Sequence, residues 1–123
     1  MKTKTAIIYV ENWKLVPQYQ LAISAACDYY NKTREELFEP SKTAEHSRQK
    51  YITFYILKHD CQLTDNDIAN ITGTTRQNVA RGVNTVDVRK RIYLQSACDY
   101  ENIKLKLAHL LKQQQEWIQQ LSL

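Results

Sequence analysis

The sequence has few residues that let a chain turn sharply: 2 glycines and 2 prolines among 123 residues. A β-sandwich or barrel needs a turn signal about every ten residues, so this scarcity excludes turn-rich β architecture. The 3 cysteines, Cys27, Cys61 and Cys98, are far apart and form no Cys-x-x-Cys pair. That spacing suits neither a zinc ribbon, a dithiol centre nor a disulfide framework, and it reads as reduced thiols in a cytoplasmic setting. No apolar run is long enough for a signal peptide or a bilayer span, so no membrane partner is expected. No Gly-x-x-x-x-Gly-Lys-Ser/Thr loop occurs, so no nucleotide hydrolysis is expected. His59, Asp60 and Cys61 are adjacent, but neighbours at a helix end point in different directions, which argues against a metal or Cys-His site. No catalytic residue, cofactor, metal or small-molecule substrate is expected.

What is present favours helices. Gln, Leu, Lys and Ala are frequent. A hydrophobic content of 43% with 24% charged residues suits one soluble globular domain. The net charge is +4. From Thr72 to Arg91 five basic residues, Arg76, Arg81, Arg89, Lys90 and Arg91, face one acidic residue, Asp87. That stretch therefore carries the whole net charge, and the remainder is neutral on balance. A localised basic surface suits a polyanionic partner.

The stretch from Leu63 to Val86 organises the rest. Thr64 is an N-cap, and Asp67 three residues on is an acidic counterpart to the Glu of a capping box. Leu63 and Ile68 have the spacing of a hydrophobic staple. Gly73 stops this helix by taking the left-handed conformation. Thr74 is expected to cap a second helix, with Gln77 closing its box. Val79, Val83 and Val86 make one buried stripe of that helix. The opposite face carries Gln77, Arg81 and Asn84, flanked by Thr74, Asn78 and Thr85. Amides and a guanidinium on an exposed helix face match base edges: Gln or Asn pairs with adenine, Arg with guanine. Ala69, Gly73 and Val79 together resemble the helix-turn-helix signature of bacterial DNA-binding proteins. Gly82 departs from it, standing where a branched apolar residue is usual, with Val83 taking over the packing. The plainer alternative is a helical hairpin that serves packing alone.

Before this motif, Ala6 to Val10 is a short β-prone run, expected as a packed arm, with a single strand, a strand completed by another chain, or a minor-groove arm led by Lys2 and Lys4 as the alternatives. Pro17 opens a helix reaching about Asn31, with Leu21, Ala22, Ala25, Ala26, Tyr29 and Tyr30 on one face. Thr33 and Glu36 box a short helix anchored by Leu37 and Phe38 and closed by Pro40. Ser41 to Gln49 is polar and leads into a helix reaching about Asp60. Its aromatics fall at helical positions and read as core. His46 reads as a surface or phosphate-facing residue. After Val86, a tract from Val88 to Leu121 keeps a rhythm of roughly 3.5 residues. It packs on the N-terminal helix or, alternatively, forms a dimer seam. Ala26 to Tyr29 and Ala97 to Tyr100 share the tetrapeptide Ala-Cys-Asp-Tyr, with no further register to suggest duplication.

From about Ala22 to Val86 the arrangement resembles the C-terminal DNA-binding domain of the bacterial replication initiator DnaA, in the Trp-repressor-like superfamily. The matching features are the Tyr29-Tyr30 pair, Leu37-Phe38 ending a short helix, a polar loop, Arg48-Gln49 opening a long helix, and the helix-turn-helix last. The family's recognition helix opens with Gly-Gly-Arg-Asp-His-Thr-Thr-Val. Here Thr72 to Val79 keeps only Gly73 and Val79, with a turn one residue shorter, so the family's target site is not implied. The resemblance implies that Arg48 is a minor-groove arginine.

The expectation is an all-α fold: a single domain with an N-terminal arm at 1–16, a helical core at 17–86 holding the helix-turn-helix at 64–86, and a helical extension at 87–123. The function expected is sequence-specific binding of double-stranded DNA, in replication, in transcription or in the service of a mobile element. Thr74, Gln77, Asn78, Arg81 and Asn84 read bases. Lys42, Arg48, Lys50, Thr75, Arg76, Arg89 and Lys90 meet backbone or minor groove. The protein is a monomer, or a homodimer through the C-terminal helix. The alternative is a protein-interaction module acting through that helix.

Overall fold

A computed structural model describes residues 17–40 and 43–121, without the side chains of 90–92 and 121. The expected arm at 1–16 lies outside the described residues. Those residues form six helices and no strand. They are α1 (Gln18–Tyr30), α2 (Arg34–Phe38), α3 (Ala44–His59), α4 (Asp65–Thr72), α5 (Arg76–Ile92) and α6 (Leu94–Leu121).

Local chemistry sets most of the boundaries. Pro17 stands at the N-cap of α1, and Asn31 ends it in the left-handed conformation at φ 57°. Thr33 and Glu36 complete a reciprocal capping box for α2, and Thr64 and Asp67 do the same for α4. Gly73 follows α4 at φ 77°, a conformation costly for a side chain with a Cβ. Its N–H donates to Ala69 O, as does that of Thr74.

α3 is the axis of the fold. It packs most extensively on α5 and also meets α1, α2, α4 and α6. So many neighbours leave it little solvent face, and Ile52, Phe54, Tyr55, Ile56 and Leu57 are all buried. The expected loop from Ser41 to Gln49 is shorter than read. Thr43 accepts from His46 N–H and starts the helix at Ala44. His46 is buried rather than superficial, with Nε2 3.0 Å from Leu37 O.

α6 lies along α1, on which Ala22, Ala25 and Ala26 are buried. Ile103 and Leu107 are the buried residues of its stripe, with Tyr100, Leu110 and Leu111 partly covered. The tract after Val86 is not one helix: α5 continues to Ile92, Tyr93 is extended, and α6 starts at Leu94. Val88, read as part of the apolar stripe, is 57% exposed.

One buried carboxylate ties three helices together. Asp99 of α6 is 1% exposed. It accepts from Tyr29 and Tyr30 of α1, each at 3.0 Å, and from Gln95 Nε2 at 2.7 Å. The Arg48 guanidinium of α3 lies 3.4 Å away. Burial, then the charge of Asp99, pushes the Tyr30 phenol well above its ordinary range. The repeated tetrapeptide takes two different environments: Asp99 is the buried hub, while Asp28 forms a part-exposed pair with Lys106 at 2.9 Å.

Candidate nucleic-acid interface

α4, the glycine turn and α5 form two helices joined at Gly73, Thr74 and Thr75. The buried stripe of α5 is Val79, Gly82, Val83 and Val86, packed toward α3, α4 and α6. Gly82 explains its departure from the helix-turn-helix pattern. A Cβ there would sit 2.6 Å from Tyr51 Cδ1 and 3.1 Å from Phe54 Cδ2. The bulk usually supplied by a branched residue on this helix is supplied by aromatic rings on α3.

At 100° per residue, the face opposite that stripe is Gln77, Arg81, Asn84 and Val88. All four are exposed. Arg76 at the first helical position and Arg89 near the end are exposed as well. α5 has no acidic residue in its first turn, whereas α2 carries Glu35 and Glu36 there and α4 carries Asp65 and Asp67. Its positive dipole end is therefore not neutralised by its own sequence. An amide–guanidinium ridge with basic flanks can donate and accept at base edges and neutralise phosphates.

The turn itself differs from expectation by one residue. Thr75, not Thr74, is the N-cap: its Oγ1 accepts from Asn78 N–H at 3.1 Å. Thr74 is drawn back into the turn by its bond to Ala69 O, so the helix starts later. Its hydroxyl instead accepts from Asn78 Nδ2 at 2.9 Å. Gln77 is consequently one position short of closing a box.

Two residues expected at the DNA backbone or minor groove are not placed for it. Arg48 sits on α3 and is turned inward to the Asp99 carboxylate. Lys50 is 5% exposed, and burial holds its amine below the usual lysine range. Lys42 and the side chain of Lys90 lie outside the described residues. Sequence reasoning missed Arg34, whose guanidinium donates to Ile71 O at 3.0 Å and fastens α2 to the end of α4. It also missed Val88 as the end of the exposed ridge; the spacing Gln77, Arg81, Asn84, Val88 was the available signal.

His59 and Asp60 are engaged in packing. The His59 ring lies 4.3 Å from that of Tyr55, and Asp60 accepts from Tyr100 at 3.5 Å. Among the described residues no three His, Cys, Asp or Glu side chains gather as metal ligands. No described helix is long and apolar enough to cross a membrane.

Fold and site together define an all-helical protein whose fifth helix presents a polar ridge opposite a buried one. No family model, curated protein or solved structure matches the chain.

Proposed function

We propose that this chain is a sequence-specific double-stranded DNA-binding module of the cytoplasm, related in arrangement to the DnaA C-terminal domain, that reads the major groove with α5. The observation that carries the proposal is the exposed ridge Gln77–Arg81–Asn84 on the side of α5 facing away from α3 and α6. Arg81 pairs with a guanine, and Gln77 and Asn84 with adenine edges. Arg76 and Arg89 meet phosphates and fix the register. The unneutralised start of α5 favours a phosphate near Thr75 and Arg76.

The test is a set of duplexes selected from a random pool, with affinity measured against salt. Affinity should fall steeply as salt rises, because each neutralised phosphate releases counterions. Arg81→Ala should relax preference at one base pair, worth about 1–3 kcal/mol of discrimination. Arg89→Ala should weaken all duplexes alike and lower the salt slope by about 1. Equal losses on every sequence for both variants would sink the role assignment.

A second reading is a protein-interaction module. It is favoured by the exposed apolar residues Tyr93 and Leu94 at the α5–α6 elbow and Leu105 on α6. A complete lack of duplex binding at low salt would select it.

A further inference from the structure

We infer that Thr74 and Asn78 form one reading unit, in which the Thr74 hydroxyl positions the Asn78 carboxamide to read a single adenine; the inference rests on α5 lying in the major groove.

Asn78 is held at both ends. Its backbone N–H is bound by Thr75 Oγ1 and its side-chain Nδ2 by Thr74 Oγ1. Thr74 is itself anchored, because its N–H and that of Gly73 converge on Ala69 O at 3.1 and 2.9 Å. The chain of support therefore runs from α4, through the glycine turn, to one amide on α5. Among the described residues neither Gln77 nor Arg81 makes a side-chain hydrogen bond. Those two longer side chains must be ordered when DNA arrives, whereas Asn78 is ordered beforehand. Ordering a rotamer-rich side chain on binding costs conformational entropy. Asn78 avoids that cost.

The brace also selects the base. A carboxamide has two N–H donors and one carbonyl acceptor. With one N–H given to Thr74, one donor and Oδ1 remain. This pair matches adenine, whose N7 accepts and whose N6 amino group donates. Guanine offers N7 and O6, two acceptors, so its O6 would oppose Oδ1. Thr74 is thus a positioning residue, and Asn78 is the residue that touches the base.

The experiment uses the full chain and the best duplex from a random pool, with single base-pair variants of it. Asn78→Ala should lose about tenfold preference for adenine at one position. Thr74→Val, which keeps the shape but removes the acceptor, should lose part of that preference, about two- to tenfold. The double variant should lose no more than Asn78→Ala alone, and Thr74→Ser should retain wild-type preference. Replacing that adenine by 7-deazaadenine, which lacks N7, should weaken wild type about tenfold and leave Asn78→Ala unchanged. In the free protein, Thr74→Val should abolish slow exchange of one Asn78 side-chain amide proton. The inference is overturned if Asn78→Ala keeps every base preference, if the Thr74 and Asn78 losses multiply, or if the base at that position is guanine. Each of those outcomes leaves DNA binding itself standing. A wild-type chain that binds no duplex at low salt instead removes the parent reading, and this inference with it.

Discussion

Replacing Gly82 by alanine separates helix propensity from tertiary packing. In an exposed helix interior, Gly→Ala stabilises by about 1 kcal/mol. At position 82 the new methyl would stand 2.6 Å from Tyr51 Cδ1, 3.0 Å from Tyr51 Cγ and 3.1 Å from Phe54 Cδ2. Tyr51 Cγ is the root of a rigid ring, so relief requires rotating the ring about Cβ or pushing α5 away from α3. Overpacking of this kind costs about 1–3 kcal/mol. The two effects oppose each other and leave a net loss of about 0–2 kcal/mol. For a chain of this size, 1 kcal/mol corresponds to a Tm shift of about 3–5 °C. Urea unfolding should show a lower midpoint at an unchanged slope. In a Tyr51→Ala background only the 3.1 Å approach to Phe54 Cδ2 remains, and Gly82→Ala should then be neutral or stabilise by up to about 1 kcal/mol. A Gly82→Ala protein more stable than wild type in the original background would refute the close α3–α5 approach. It would also remove the account of why a glycine occupies this position.

Asp99→Ala leaves two phenols, a carboxamide and a guanidinium without their shared acceptor, and should cost about 3 kcal/mol in urea unfolding. Arg48→Ala should likewise lower stability while leaving base preference unchanged; a base-specific loss without destabilisation would return it to the minor groove. Lys50→Met should be as stable as wild type or more so at neutral pH, since folding penalises the charged amine. The folded amine is depressed, so wild type gains stability as pH rises toward the ordinary lysine value, and the gap between the two proteins should close over that range. Burial raises the Cys27 and Cys61 thiols to about 11, whereas Cys98 is exposed. A thiol-specific disulfide reagent at pH 8 should therefore modify Cys98 first, with the half-buried Cys27 and Cys61 reacting more slowly. Equal rates for all three would contradict the raised thiols of Cys27 and Cys61.

The Asp99 hub is invisible in any short window of sequence, because Tyr29 and Asp99 lie 70 positions apart, whereas the packing of α6 on α1 follows the first of the two expectations raised by its apolar rhythm. The capping boxes at Thr33 and Thr64 are legible for the opposite reason: each is a bond between residues three apart. Gly73 is legible for the same reason, since its left-handed turn follows from its own lack of a Cβ. The ridge Gln77–Arg81–Asn84 could also be read, because the buried valines opposite it set the rotation of α5.

His46, Arg48 and Lys50 could not be read in this way. A polar residue in a polar stretch is assigned to solvent by default, and that default fails on a helix packed by five others. Which side of α3 meets α1, α2 or α6 depends on residues far away in the chain, so burial of these three was decided only in three dimensions. The choice between Thr74 and Thr75 as the cap is the finest case. Both have the right hydroxyl, and the bond from Thr74 N–H to Ala69 O settled it. Sequence alone determined the starts of α2 and α4, the stop at Gly73 and which side of α5 is polar, because each depends on neighbours within about four residues. Only the tertiary structure decided which charges face solvent and which amide is held in advance, because those depend on what the folded chain brings alongside.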